Sequence, residues 1–249
     1  MKMKEFLDAV YDSGYVSTVY YGFHVAGFIA VFIFAVWYGK RIQIPVLKSV
    51  GLVFIVFPSI YIWMFVLYWL ETGSWGGNNI VRVFVYLPLA GWLAAKILRL
   101  EWKRVCDLLA FCPLVVHGVS HFGCIFPGCC FGYPCEWGLY NLMLKKCLFP
   151  IQIIEALTAW AIIFYLFFRH KRRNGVADGL EIPIMLILFG STRFVWEFFR
   201  DNPKILWGCS NLSFHALFMF VVGVLSYIII KNRKKRRFEE FDVNKGQVV

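Results

Sequence analysis

Arg193, Glu197 and Arg200 close an apolar run, in Arg193-Phe-Val-Trp-Glu197-Phe-Phe-Arg200. On a helix, spacings of four and three residues stack these three groups on one face, with Glu197 in reach of both guanidiniums. A charge in hydrocarbon costs roughly 2.5 to 3.5 kcal/mol even on the lenient insertion scale, so such a cluster is expected to be used. Two arginines facing one carboxylate leave a guanidinium in excess, and its planar fork suits bidentate capture of phosphate. A lipid phosphate is the expected ligand. The competing reading is a helix end whose charges snorkel to the interface.

A second chemical segment runs from Gly123-Cys124-Ile-Phe-Pro127-Gly128-Cys129-Cys130 to Phe131-Gly132-Tyr133-Pro134-Cys135. Its glycines allow tight turns and close approach to a ligand, as a binding loop needs. The adjacent Cys129-Cys130 pair lacks the paired CxxC spacing of structural zinc, so no metal and no other cofactor is expected. Disulfides are open to these cysteines together with Cys147 and Cys209, whereas Cys106 and Cys112 read as buried thiols.

The elements that must position these groups are membrane helices. Hydrophobic residues make up 60% of the 249 positions and charged ones 16%, which leaves too little polar surface for a soluble domain. The expected fold is all-α and polytopic, a single domain over 1–249. Its seven spans fall at about residues 19–39, 49–70, 80–98, 105–123, 150–168, 180–199 and 212–230. The fourth is interrupted by His117, Gly118, Ser120 and His121 and is expected to bend, unwind or line a cavity. Basic groups alternate with the spans: Lys40, Arg41 and Lys48; Lys96, Arg99, Lys103 and Arg104; Arg169, Lys171, Arg172 and Arg173; then Lys231 to Arg237. This places the N-terminus outside, the C-terminus in the cytoplasm with a basic tail at 231–249, and loops 71–79, 124–149 and 200–211 on the outer face. The formal charge of +11 is mostly this topology signal. Nucleic-acid binding is not expected, because the cations are split among short loops. The tail can also touch anionic membrane lipid, and its Glu239, Glu240 and Asp242 read as a short solvated segment. No signal peptide is evident ahead of the first span.

At the cysteine loop the chain resembles the prolipoprotein diacylglyceryl transferases, a seven-span bacterial family. Tyr20-Tyr21-Gly22 is similar to the family's opening of the first span. Gly123-Cys124 through Gly132 resembles the Gly-Cys-Phe-x-x-Gly-Cys-Cys-Tyr-Gly loop of one branch. Phe149-Pro150-Ile151-Gln152-Ile153-Ile154-Glu155-Ala156 matches His-Pro-x-Gln-x-x-Glu-Ala, and Phe189-Gly190 through Arg200 matches Tyr-Gly-x-x-Arg-x-x-x-Glu-Phe-x-Arg.

The resemblance implies transfer of the diacylglyceryl group of phosphatidylglycerol to the lipobox cysteine thiol of an exported prolipoprotein, in the bacterial inner membrane, releasing glycerol phosphate. It assigns catalytic roles to Arg193, Glu197, Arg200, His121 and Tyr86, with Tyr21, Gly123, Gly128, Gln152 and Glu155 binding substrate. Gln152 and Glu155 read equally as a polar helix-packing pair. This sequence departs from the family at several positions. His121 stands where the family has arginine, Tyr86-Leu87-Pro88 replaces a His-Gly-Gly or Tyr-Gly-Gly motif, and Phe189 replaces tyrosine. His117 and His24 lie near enough in sequence to compensate, His215 reads as structural, and Arg82 reads as snorkelling or reaching a lipid phosphate. Competing readings are another acceptor, a non-catalytic lipid- or preprotein-binding paralogue, and a thiol oxidoreductase built on Cys129-Cys130.

Overall fold

The computed structural model describes residues 14–74, 80–141 and 144–246, with residues 5, 8, 11 and 12. Residues 75–79 of the expected outer loop, the last three of the basic tail and the side chain of Arg82 lie outside the described residues. Eight helices are described: α1 Val16–Arg41, α2 Val46–Thr72, α3 Ile80–Ile97, α4 Trp102–Leu109, α5 Cys112–Gly123, α6 Ile151–Arg172, α7 Glu181–Glu197 and α8 Asn211–Gly246. Five helical segments are long and apolar enough to cross a bilayer: Val16–Arg41, Val46–Leu70, Trp102–Gly123, Ile151–Arg172 and Asn211–Arg236. The remaining two expected spans correspond to α3, of 18 residues, and α7, of 17. The protein is thus a polytopic helical membrane protein.

Trp102–Gly123 is the span that the rest of the molecule surrounds, with 89% of its apolar window buried. It breaks at Ala110–Phe111, just before Pro113, whose missing N–H suits the first turn of α5. Of the three outcomes expected at the histidines, the helix neither bends nor unwinds there, since His117 to His121 lie in continuous helix; instead His117, Ser120 and His121 line a cavity. Only Val119 and Phe122 of α5 are not fully buried, so its polar side chains meet protein rather than lipid, as intramembrane polar groups require.

Close helix approach is made by small residues. A Cβ at Gly190 of α7 would lie 2.8 Å from the Phe220 backbone nitrogen of α8, and one at Gly223 would lie 2.8 Å from that of Ile187. Two glycines, one from each helix, thus let the backbones touch. Between α5 and α6 the outer segment is not wholly irregular. It carries an antiparallel hairpin, β1 Pro134–Asn141 and β2 Lys146–Leu148, paired Tyr140 to Cys147 with a register shift between Pro134 and Leu139. At the other extreme of the chain, α8 runs on as helix to Gly246 and so carries most of the basic tail, while the side chains of Glu239, Glu240 and Asp242 lie outside the described residues.

The basic loops meet at one end of the bundle. Arg104 Nη1 donates to the Gln43 carbonyl at 3.0 Å, and Lys234 Nζ lies 3.9 Å from Asp178. There Arg169 bonds Asp178 and Glu181, each at 2.7 Å, and Arg173 pairs with Asp178 at 2.8 Å and with Glu181. His170 lies 3.3 Å from the buried Asp107. Arg169 and Arg173 therefore tie α6 to α7 rather than only marking a cytoplasmic loop.

Candidate active site

The opposite end of the bundle gathers the residues singled out for chemistry. Pro150 caps α6, and in the helix that follows Gln152 and Glu155 share a face at a spacing of three. Glu155, 2% exposed, is the hub. It receives Arg200 Nη2 at 2.6 Å and Nε at 3.2 Å, pairs with Arg193 Nη1, and has His121 Nδ1 at 3.3 Å and His117 Nε2 at 3.9 Å. Glu197, the last residue of α7, lies 3.0 Å from Arg193 Nη2 and 3.8 Å from Arg200 Nε. Its other oxygen accepts from Ser210 Oγ at 2.8 Å and from Asn202. Lys204 Nζ donates to the Glu197 carbonyl at 3.1 Å, satisfying an orphan at the helix end.

This geometry corrects the charge count made from the local segment. Two buried arginines face two buried carboxylates, because Glu155 joins from 38 and 45 residues away; the expected uncompensated guanidinium is absent. Arg193 Nε remains buried without an acceptor, and it can donate to an incoming group. The snorkelling alternative does not describe these side chains, since Arg193 is 6% and Arg200 4% exposed.

A cavity of about 130 Å³ opens beside the cluster. It is lined by Tyr20 and His24 of α1, His117 and His121 of α5, Arg193 and Arg200, and by Cys124 and Cys130. The two histidine rings of α5 lie 3.9 Å apart. Tyr20 and His24 are in ring contact at 4.3 Å, and the His24 ring also meets the Tyr20 carbonyl at 2.9 Å.

The cysteine loop is clamped over this end. Gln152 Nε2 donates to the Cys129 carbonyl at 2.7 Å, and Asn141 Nδ2 donates to the Gly128 carbonyl at 2.8 Å. Gly128 has φ +66° and Cys130 φ +57°. The first conformation suits glycine, while the second costs a side-chain-bearing residue about 1–2 kcal/mol. The chain continues under α7: Tyr133 N donates to the Phe199 carbonyl at 3.1 Å, and Phe149 N to the Tyr133 carbonyl at 2.8 Å. All eight cysteines are free thiols. Hydrogen bonds from Cys124 and Cys129 hold the Cys130 thiol well below its ordinary value.

Of the residues singled out in the sequence, Arg193, Glu197, Arg200, His121 and Glu155 converge on one cluster, and Gln152 fixes the loop beside it. Gly128 lies in that loop, and Gly123 abuts α1, where its Cβ would meet Phe23 at 2.7 Å. Two tyrosines lie elsewhere. Tyr21 is 64% exposed, its neighbour Tyr20 lining the cavity instead; Tyr86 stacks on Trp63 at 5.1 Å and is not among the lining residues. Sequence reasoning missed Asn202, Ser210 and Asn141: their partners lie five, thirteen and thirteen residues away across non-helical chain, where no helical spacing rule applies.

A helical membrane fold with buried arginines and carboxylates around a cavity at one end defines a class of membrane protein suited to anionic lipid chemistry. A family model described as prolipoprotein diacylglyceryl transferase matches residues 73–229, more than half of the chain, and the chain belongs to that family. The matched region contains the whole Arg–Glu cluster and the cysteine loop, but not Tyr20, Tyr21 or His24. Similar proteins include phosphatidylglycerol--prolipoprotein diacylglyceryl transferase 2 of Clostridium perfringens (strain 13 / Type A), 25% identical over 172 residues, covering 64% of this chain and 66% of that protein. The phosphatidylglycerol--prolipoprotein diacylglyceryl transferase of Campylobacter curvus (strain 525.92) is 28% identical over 155 residues, covering 57% of this chain and 56% of its own length. The chain thus spans between about half and two thirds of the length of the curated relatives it matches.

Proposed function

We propose that the protein transfers the diacylglyceryl group of phosphatidylglycerol to the lipobox cysteine thiol of an exported prolipoprotein, releasing glycerol phosphate. The observation that carries this reading is the placement of Arg193 and Arg200 on the wall of a cavity, each held by buried carboxylates. Displacement at the glycerol carbon breaks its bond to a phosphate oxygen and builds charge on the leaving phosphate. Preorganised guanidiniums stabilise that charge without reorganising at the moment of reaction. Glu155 and Glu197 hold both arginines in place. The attacking thiol must lose a proton; an ordinary cysteine is a few per cent thiolate at neutral pH, and His121 and His117 are the imidazoles nearest the arginines to receive it. Tyr86, stacked on Trp63, has no part in this step. The reaction belongs at the outer face of the bacterial cell membrane, with the basic end of the bundle in the cytoplasm.

The test is mass spectrometry of a lipobox peptide incubated with purified protein and phosphatidylglycerol. The expected result is a diacylglyceryl mass gain on cysteine, reduced at least about 10²-fold in Arg193→Ala. Equal turnover by folded Arg193→Ala overturns the assignment. A second reading, a lipid-binding paralogue without turnover, is favoured by the two-to-two charge balance of the cluster; it predicts retained phosphatidylglycerol and no product on any thiol acceptor.

A further inference from the structure

Three clusters among the described residues bring metal-ligating atoms within 4.8 Å of one another: Cys124, Cys129 and Cys130, of which Cys124 is buried and the others half-buried; and the fully buried sets His117, His121 and Glu155, and Asp107, His170 and Glu181. Their surroundings distinguish them. Glu155 is already bonded by Arg193 and Arg200, and Glu181 by Arg169 and Arg173, so a cation in either place would displace a guanidinium. Among the described residues no arginine hydrogen bond reaches the three sulfurs; Cys124 and Cys129 Sγ make long contacts to carbonyls, at 3.9 and 3.8 Å, beside their hydrogen bonds to Cys130.

We propose that Cys124, Cys129 and Cys130 form a binding site for one thiophilic divalent cation of the Zn²⁺ type, with an open coordination position on the cavity that takes the acceptor thiol. Tetrahedral zinc with Zn–S bonds of about 2.3 Å separates its sulfurs by about 3.8 Å, so the present spacing needs only a modest contraction. Three protein ligands plus one exchangeable position is the arrangement of catalytic zinc. Cys124 and Cys130 both line the cavity, as do Arg193 and Arg200. Three thiolates and a dication carry one net negative charge, which the adjacent guanidiniums accommodate. The left-handed backbone at Cys130 is the kind of local strain that persists where a side chain must point at a function, and Gln152 and Asn141 pin the loop in that shape.

The role of the site rests on the transfer reading. A coordinated thiol is deprotonated by the cation itself, so the imidazoles of the cavity need only carry the proton away. The acceptor gives its proton to an imidazole of the cavity and binds as thiolate. Its sulfur then forms the carbon–sulfur bond while the carbon–oxygen bond breaks with its electron pair on the phosphate. The cation is unchanged at the end.

The test uses the full chain, purified reduced, with stoichiometric Co²⁺ as the probe. Expected is a thiolate-to-cobalt charge-transfer band that Cys130→Ser and Cys124→Ser each lose and Cys135→Ser retains. A lipobox peptide should raise the band by about one third, from three thiolates to four, and its serine counterpart should leave it unchanged. Absence of the band, with all thiols titratable, overturns the site, as does a band equally strong in Cys130→Ser. A band that ignores the peptide thiol overturns the acceptor role. Cobalt binding and peptide response without diacylglyceryl transfer leave the site standing and remove the transfer reading instead.

Discussion

At the scale of single residues the molecule turns on Glu155. Arg193, Glu197 and Arg200 were readable as a unit because helical spacing alone brings them together. The second carboxylate was not, since its contact to Arg193 spans 38 residues and only the packing of α6 against α7 creates it. The sequence count therefore had the right groups and the wrong net charge. Tyr86 shows the same limit: the resemblance suggested chemistry there, but its direction on α3 sends it to Trp63. Removing one member of a buried ion-pair network strands the others, at a cost of about 3–5 kcal/mol. Glu155→Ala is accordingly expected to melt well below the parent protein in detergent, whereas Lys204→Ala, which loses carbonyl contacts and an approach to the Tyr133 ring, should cost less, about 1–2 kcal/mol. Thermal unfolding of the two variants side by side checks this.

At the scale of elements, the spans were legible from apolar length, but their joints were not. The fourth span breaks before Pro113, a residue with a backbone reason to start a helix, and not at the histidines, whose polarity says nothing about backbone geometry once protein surrounds them. The hairpin β1–β2 escaped because Gly138 and the register shift disrupt any clean alternation. The α7–α8 contact yields a sharp expectation. Gly190→Ala drives a Cβ against the Phe220 backbone, an overpacking worth about 1–3 kcal/mol, and it tilts the helix that carries Arg193. Gly22→Ala, where a Cβ meets nothing within 4 Å, should be neutral or slightly stabilising. Comparing melting temperatures and transfer rates of both variants distinguishes a packing effect from a general intolerance of alanine.

At the scale of the whole molecule, charge is sorted by end. The basic loops predicted one side; the structure adds that Asp107, Asp178 and Glu181 are drawn into the same end. Burial alone would raise the Asp178 carboxyl, but hydrogen bonds from Arg169 and the Leu180 N–H hold it below its ordinary value. A depressed folded value means its stabilisation is present above the unfolded aspartate range near about 3.9 and fades as pH falls through the lower folded value. Asp178→Asn should therefore melt below the parent near neutral pH, and the gap should close as the solution is acidified below about pH 4. For orientation, a tag at the C-terminus is expected to resist protease on intact spheroplasts and to be cleaved after lysis; cleavage on intact cells would invert the topology.

The carboxylate of Glu155 also has a meaning for traffic through the cavity. It occupies the faces of Arg193 and Arg200 that a phosphate would otherwise seek, so it behaves as a tethered competitor at permanently high local concentration. An arriving anion can meet the free Arg193 Nε first, but to take the remaining guanidinium donors that Glu155 holds it would have to trade places with that carboxylate. Such a device trades tight binding for prompt clearance, which under the proposed transfer would let a spent headgroup leave before the next lipid enters.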